Sequence, residues 1–153
     1  MPAASVAYHF SQRFPCPARE LFEWATDFDG EDLARMGHPG TRKVRWLCND
    51  TVVLTDAAPG ASGKKVIKTK LVRIYRRQRT WTNTHLSGPN VHSQFLYQIV
   101  EEAPERCRLD FSGLQMVEVE RADRKTLQAL AKQIRADDSA SWRALAAAKK
   151  AGR

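Results

Sequence analysis

The stretch that most constrains how this chain can fold is its C-terminal one, Arg124 to Lys149. Leu127, Leu130, Ala131, Ile134, Asp138, Ser141, Trp142 and Leu145 recur at helical spacing and share one stripe. The pattern predicts a single amphipathic helix roughly 39 Å long, and an apolar stripe of that length needs a sheet to lie on. Asp138 interrupts the apolar face. A carboxylate there must be paired, hydrated or protonated, so it is either a group turned towards a ligand or part of a local break. In the second case, Ala136-Asp137-Asp138-Ser139 ends one helix and an Asp caps another.

Upstream, Val6, Tyr8 and Phe10 alternate with polar residues as in a strand, and Pro15-Cys16-Pro17 stops it. Pro17 suits the first position of a helix, predicted over about residues 17–26. Asp27-Phe28-Asp29-Gly30 breaks that helix, a second short one runs through Met36, and Gly37-His38-Pro39-Gly40 forces a loop. Six strands follow in hairpin succession: 42–48, 51–56, 65–76, 79–87, 92–100 and 106–119. In the fifth, Ser93, Phe95, Tyr97 and Ile99 share a face; in the last, Cys107, Leu109 and Phe111 do, and Gly113 is read as a bulge position. Segregated strands and helices of this kind predict an α+β fold with an antiparallel sheet, and a curved seven-stranded sheet around one helix leaves room for a ligand.

The 153 residues fit one domain, 1–153. No run approaches the length of a membrane span, and MPAASVAYHF lacks the basic start and apolar core of a signal peptide. Cys16, Cys48 and Cys107 are odd in number and form no C-x-x-C pair, so no disulfide framework is expected and the chain fits a reduced, cytoplasmic protein. His9, His38, His85 and His92 are scattered without metal-ligand spacing, and no phosphate loop or nucleophile elbow is present. Neither a metal nor a cofactor is expected. The net charge of +8 is concentrated. No acidic residue lies between Asp56 and Glu101, whereas Lys64, Lys65, Lys68, Lys70, Arg73, Arg76, Arg77 and Arg79 all do. Such a segment attracts anions, whether nucleic acid, a membrane surface or a small molecule, or else forms a solvated outer face.

The order of elements resembles the helix-grip fold of the START-like superfamily, also called SRPBCC: a curved seven-stranded sheet wrapped around a long C-terminal helix, with two short helices after strand one. The segment from Phe14 to Asp27, FPCPARELFEWATD, is similar to that superfamily's opening signature, in which a strand turns a proline-bearing corner into a helix ending near an Asp. The resemblance implies a START-like domain that holds a hydrophobic or amphipathic ligand (a lipid, an aromatic or a polyketide-like molecule) in an internal cavity. It carries over no catalytic residue, since the signature is structural and the fold hosts binders and enzymes alike.

The residues expected at a ligand are Trp46, Thr69, Arg73, Trp81, Asn83, His85, Phe95, Tyr97, Asp138 and Trp142. Trp46, Trp81, Phe95 and Tyr97 supply aromatic lining. On the strand over 65–76, Thr69 and Arg73 share a face with Ile67, Leu71 and Tyr75; placing that face inside aims Arg73 at Asp138 or an anionic ligand. The opposite register buries Lys68 and Lys70, which is costlier for two unpaired ammoniums. The alternatives to a binding protein are a cyclase- or dehydratase-type enzyme using His85 or Asp138 as acid or base, and docking of residues 64–79 on nucleic acid or another anionic surface. An apolar pocket favours the binder, convergent polar groups with shifted pKa the enzyme, and a filled interior the surface role. If Asp138 faces a ligand, Asp138→Leu lowers ligand affinity without unfolding the protein; unchanged affinity in a binding titration refutes the assignment.

Overall fold

A computed structural model describes residues 2–152. Its elements are β1 (Ala3–Phe14), α1 (Ala18–Ala25), α2 (Asp32–Arg35), β2 (Thr41–Cys48), β3 (Thr51–Pro59), β4 (Lys65–Tyr75), β5 (Thr80–Ser87), β6 (Gln94–Ala103), β7 (Arg106–Glu118) and α3 (Arg124–Lys150). The strands form one antiparallel sheet in the order β1-β7-β6-β5-β4-β3-β2. Hairpins join β2 to β7 in sequence, and β1 pairs along its whole length with β7. The sheet wraps the long helix as expected of a helix grip.

α3 is continuous through Asp137 and Asp138, so the local-break alternative is excluded. Asp123 caps its start, its Oδ1 accepting from the Thr126 amide at 2.9 Å. Lys149 and Lys150 lie in its last turn, where cations complement the helix dipole. The apolar stripe is divided. Trp142, Leu145 and Ala146 enter the main core with Phe14, Leu21 and Leu109, while Leu127, Leu130 and Ala131 cover a smaller cluster of Val6, Val117 and Val119. The helix is tied most closely to β1: Arg135 Nε donates to the His9 carbonyl at 2.7 Å, and the Tyr8 hydroxyl donates to Asp138.

Three local expectations are corrected. Pro17 is the N-cap of α1 and not its first helical residue, with ψ at 144° keeping it extended. His92 lies in the turn before β6, with φ at +73°, and is not a strand residue. Gly113 is no bulge, because it pairs in register with Tyr8 on one side and Phe95 on the other. A Cβ on Gly113 would lie 2.9 Å from Tyr8 Cζ and 3.1 Å from Phe111 Cε1. Glycine is needed there so that the Tyr8 ring can lie flat over β7 and reach the helix. Gly113→Ala is expected to destabilise the protein by about 1–3 kcal/mol through overpacking, measured as the shift in a urea unfolding midpoint; wild-type stability would show that Tyr8 is free to move aside.

Candidate functional site

α3 lies over the β1 side of the sheet. α1, α2 and the loop to β2 close the other side, and between them is a cavity of about 530 Å³, within the roughly 300–1,000 Å³ of small-molecule sites. Its floor is aromatic. Trp81 of β5 and Tyr97 of β6 are cross-strand partners and stack with ring centroids 4.9 Å apart and planes 4° off parallel. Trp142 of α3 tilts against Tyr97 at 5.7 Å, and Phe111 meets it edge-on at 5.1 Å. Offset and edge-to-face contacts of this kind make a rigid apolar platform.

Seven of the ten residues expected at a ligand line this cavity: Trp81, Asn83, His85, Phe95, Tyr97, Asp138 and Trp142. Three do not. Trp46 lies on the inner face but at the far end of edge strand β2, where it packs on Phe28 and stays 45% exposed. Thr69 and Arg73 are on the outer face of β4, and Arg73 covers the Tyr75 ring at 5.7 Å. The register of β4 is therefore opposite to the expected one. Both faces of the strand offer apolar residues, so its partner β3 decides: Val52, Leu54 and Asp56 point inward, and their neighbours Val72, Lys70 and Lys68 follow. Burying Lys70 is not the unpaired loss that was anticipated. Asp56 accepts from Lys70 Nζ at 2.8 Å and from Arg42 Nε and Nη2 at 2.7 and 2.9 Å. With side chains 10–17% exposed, this is a largely buried triad spanning three adjacent strands.

The triad escaped the sequence reading, although a signal existed. Asp56 falls in phase with Val52 and Leu54, just as Asp138 falls in phase with the stripe of α3. Tyr8 was missed as Asp138's partner because 130 residues separate them. The inward turn of Lys68 and Lys70 also divides the basic segment. Arg73, Arg76 and Arg77 remain outside, while two of its charges belong to the cavity wall.

Burial sets the ionisation of the site. It would push the Asp56 carboxyl up, but the Arg42 guanidinium and the Lys70 ammonium prevail and bring it down to about 2. Burial, then the Lys70 and Lys68 ammoniums, push the His85 imidazole down to about 4, against the pull of Asp56, so His85 is neutral near pH 7. Burial and the neighbouring Lys70 lower the Lys68 ammonium. Asp138 is raised by burial, although the Tyr8 hydroxyl works against the shift. Gln115 Oε1 lies 3.3 Å from the same hydroxyl, so replacing Asp138 does not strand Tyr8. Two buried polar atoms, Asn83 Oδ1 and His85 Nδ1, have no hydrogen-bond partner among the described residues. Opposite them, His38 Nε2 lies 3.0 Å from Ser141 Oγ and links the loop before β2 to α3.

No family model and no curated protein matches this sequence. Solved structures do resemble it. The chain superposes on the Zhui aromatase/cyclase from Streptomyces sp. R1128 with a TM-score of 0.72 at 15% identity, over 96% of this chain and 94% of that one. It matches a START superfamily protein from Mycobacterium smegmatis with a TM-score of 0.73 at 10% identity, covering 96% and 99%. It also matches the di-domain ARO/CYC StfQ from the steffimycin biosynthetic pathway with a TM-score of 0.75 at 9% identity, covering 97% of this chain and 52% of that chain. The chain has the START-like helix-grip fold. No helix is long and apolar enough to cross a membrane among the described residues.

Because His85 has its folded pKa below the usual histidine value, the unfolded chain takes up the proton first as pH falls. Stability is then lost from about pH 6.5 down to about 4, by up to about 3 kcal/mol. His85→Gln is expected to abolish that part of the loss, read from urea unfolding midpoints at pH 7.5 and 4.5. Parallel profiles for variant and wild type would show that His85 is freely protonated in the folded state.

Proposed function

We propose that this protein binds an amphipathic small molecule with an aromatic or polycyclic body in the cavity between the sheet and α3. The observation that carries the reading is the Trp81–Tyr97 stack set beside two buried polar atoms, Asn83 Oδ1 and His85 Nδ1, that have no hydrogen-bond partner among the described residues. Flat rings are the natural complement of a stacked aromatic wall. Buried polar atoms are costly unless they are paired, and a ligand hydroxyl, which both donates and accepts, meets the need of either. Two of the structural neighbours carry the name aromatase/cyclase or ARO/CYC and a third that of the START superfamily; these names support a small-molecule role for the cavity.

A second reading, an enzyme of the cyclase or dehydratase type, is favoured by the raised carboxyl of Asp138 and its bond to Tyr8. Polar groups with shifted pKa do converge here, the sign associated above with catalysis. Against it, a base works best with a pKa near the operating pH, and His85 is held at about 4. Asp138 is already engaged by Tyr8. The polar groups are better suited to fixing a ligand's orientation than to moving its protons.

Native mass spectrometry of the protein purified from its own host, with extraction of any bound molecule, tests the proposal. A discrete ring-bearing ligand is expected, and Asn83→Phe, which fills the cavity beside the aromatic wall, is expected to weaken its retention at least tenfold while leaving the circular dichroism unchanged. A protein that carries nothing from its host and takes up no uncharged aromatic probe such as N-phenyl-1-naphthylamine would overturn the reading.

A further inference from the structure

Three cationic side chains line the cavity: Arg42, Lys68 and Lys70. The carboxylates within reach are already committed. Asp56 accepts from both Arg42 and Lys70, Asp32 is held by Arg35 at 2.9 Å, and Asp138 accepts from Tyr8. Lys68 makes no ion pair within 4.0 Å among the described residues. A half-buried ammonium with no carboxylate of its own is costly without an anion or ordered water beside it. Nothing in the fold requires it there, since Val72 and Ile74 fill inward positions of the same strand with apolar side chains.

We infer that Lys68 is the anion-recognition point of the cavity, and that its ligand is an aromatic or polycyclic acid whose carboxylate meets the Lys68 ammonium while its rings lie on the Trp81–Tyr97 stack. This rests on the cavity being a small-molecule site. The placement has a physical logic. Lys70 and Arg42 share one carboxylate, so the wall keeps a net positive charge that attracts an anion before it reaches Lys68. An ammonium receives a carboxylate as a point charge without demanding a fixed approach, so the stacked rings set the orientation and Lys68 selects for charge. The inward register of β4 follows from β3, and it is this register that takes Lys68 from the outer surface to the wall of the cavity.

Two probes that share their rings but differ in charge test the inference on the full chain: 1-anilinonaphthalene-8-sulfonate, whose sulfonate stands in for the carboxylate, and the uncharged N-phenyl-1-naphthylamine. The wild type is expected to bind the anion about tenfold more tightly than the neutral probe. Lys68→Met should remove that preference by weakening only the anion, Lys68→Arg should keep it, and Lys65→Met, on the exposed start of β4, should change neither. Equal affinities in the wild type, or a Lys68→Met variant that retains the preference or loses both probes equally, would overturn the assignment while leaving the cavity reading intact. Binding of neither probe would overturn both.

Discussion

A helix is about 10 Å across, and seven strands at about 4.8 Å spacing make a sheet nearly three times as wide. One helix cannot cover that surface, and this mismatch governs the rest of the molecule. α3 is fixed over β1, through Arg135 on the β1 backbone and Asp138 on Tyr8. The inner faces of β3, β4 and β5 are left to the short helices and the loop before β2. These close the space without filling it, and the result is a cavity with a packed aromatic floor. The opening signature, from Phe14 through Pro17 to Leu21 and Phe22, serves the same end. It turns the chain out of β1 so that α1 can pack near Trp81 and Trp142.

Charge placement follows from that geometry. A residue pointing inward near α1 is enclosed, whereas one pointing inward where no helix passes looks into the cavity. Asp56, Arg42 and Lys70 point inward together, the one carboxylate pairing with both cations across three neighbouring strands and leaving a net positive charge. Such a triad is not a strong source of stability compared with apolar packing. Its consequence is positional: it holds the wall of β2, β3 and β4 in one register and fixes where Lys68, two residues from Lys70, must point.

Most of the architecture was legible in the sequence because it is written in short periods. The alternation in β1, β6 and β7 gave the inner face directly, and the stripe of α3 gave both its length and the anomaly at Asp138. β4 was not legible, because Ile67, Leu71 and Tyr75 compete with Val66, Val72 and Ile74 for the inside. Its own residues do not settle the choice; Asp56 on the neighbouring strand does, by meeting Lys70. The assignment of Arg73 and Thr69 failed for that reason. Trp46 failed differently: its face was right, but the long helix lies over β1 at the opposite edge of the sheet, so an inward residue at the end of β2 remains at the surface. Periodicity reports a face. Only the tertiary arrangement reports what stands opposite it.

The polar groups of the cavity separate recognition from reaction. A catalytic pair needs one group ready to take a proton and another ready to give it, both near the working pH and both free. Here the imidazole is held low by burial and by two lysines, and the carboxyl held high is engaged by a tyrosine fixed in place over Gly113. Among the described residues, what remains unengaged is one ammonium, one amide oxygen and one imidazole nitrogen around a stacked aromatic wall. These groups differ in what they attract: Lys68 a negative charge, Asn83 a donor, Trp81 and Tyr97 a flat ring. Together they specify the chemistry of an occupant more closely than they specify any reaction upon it.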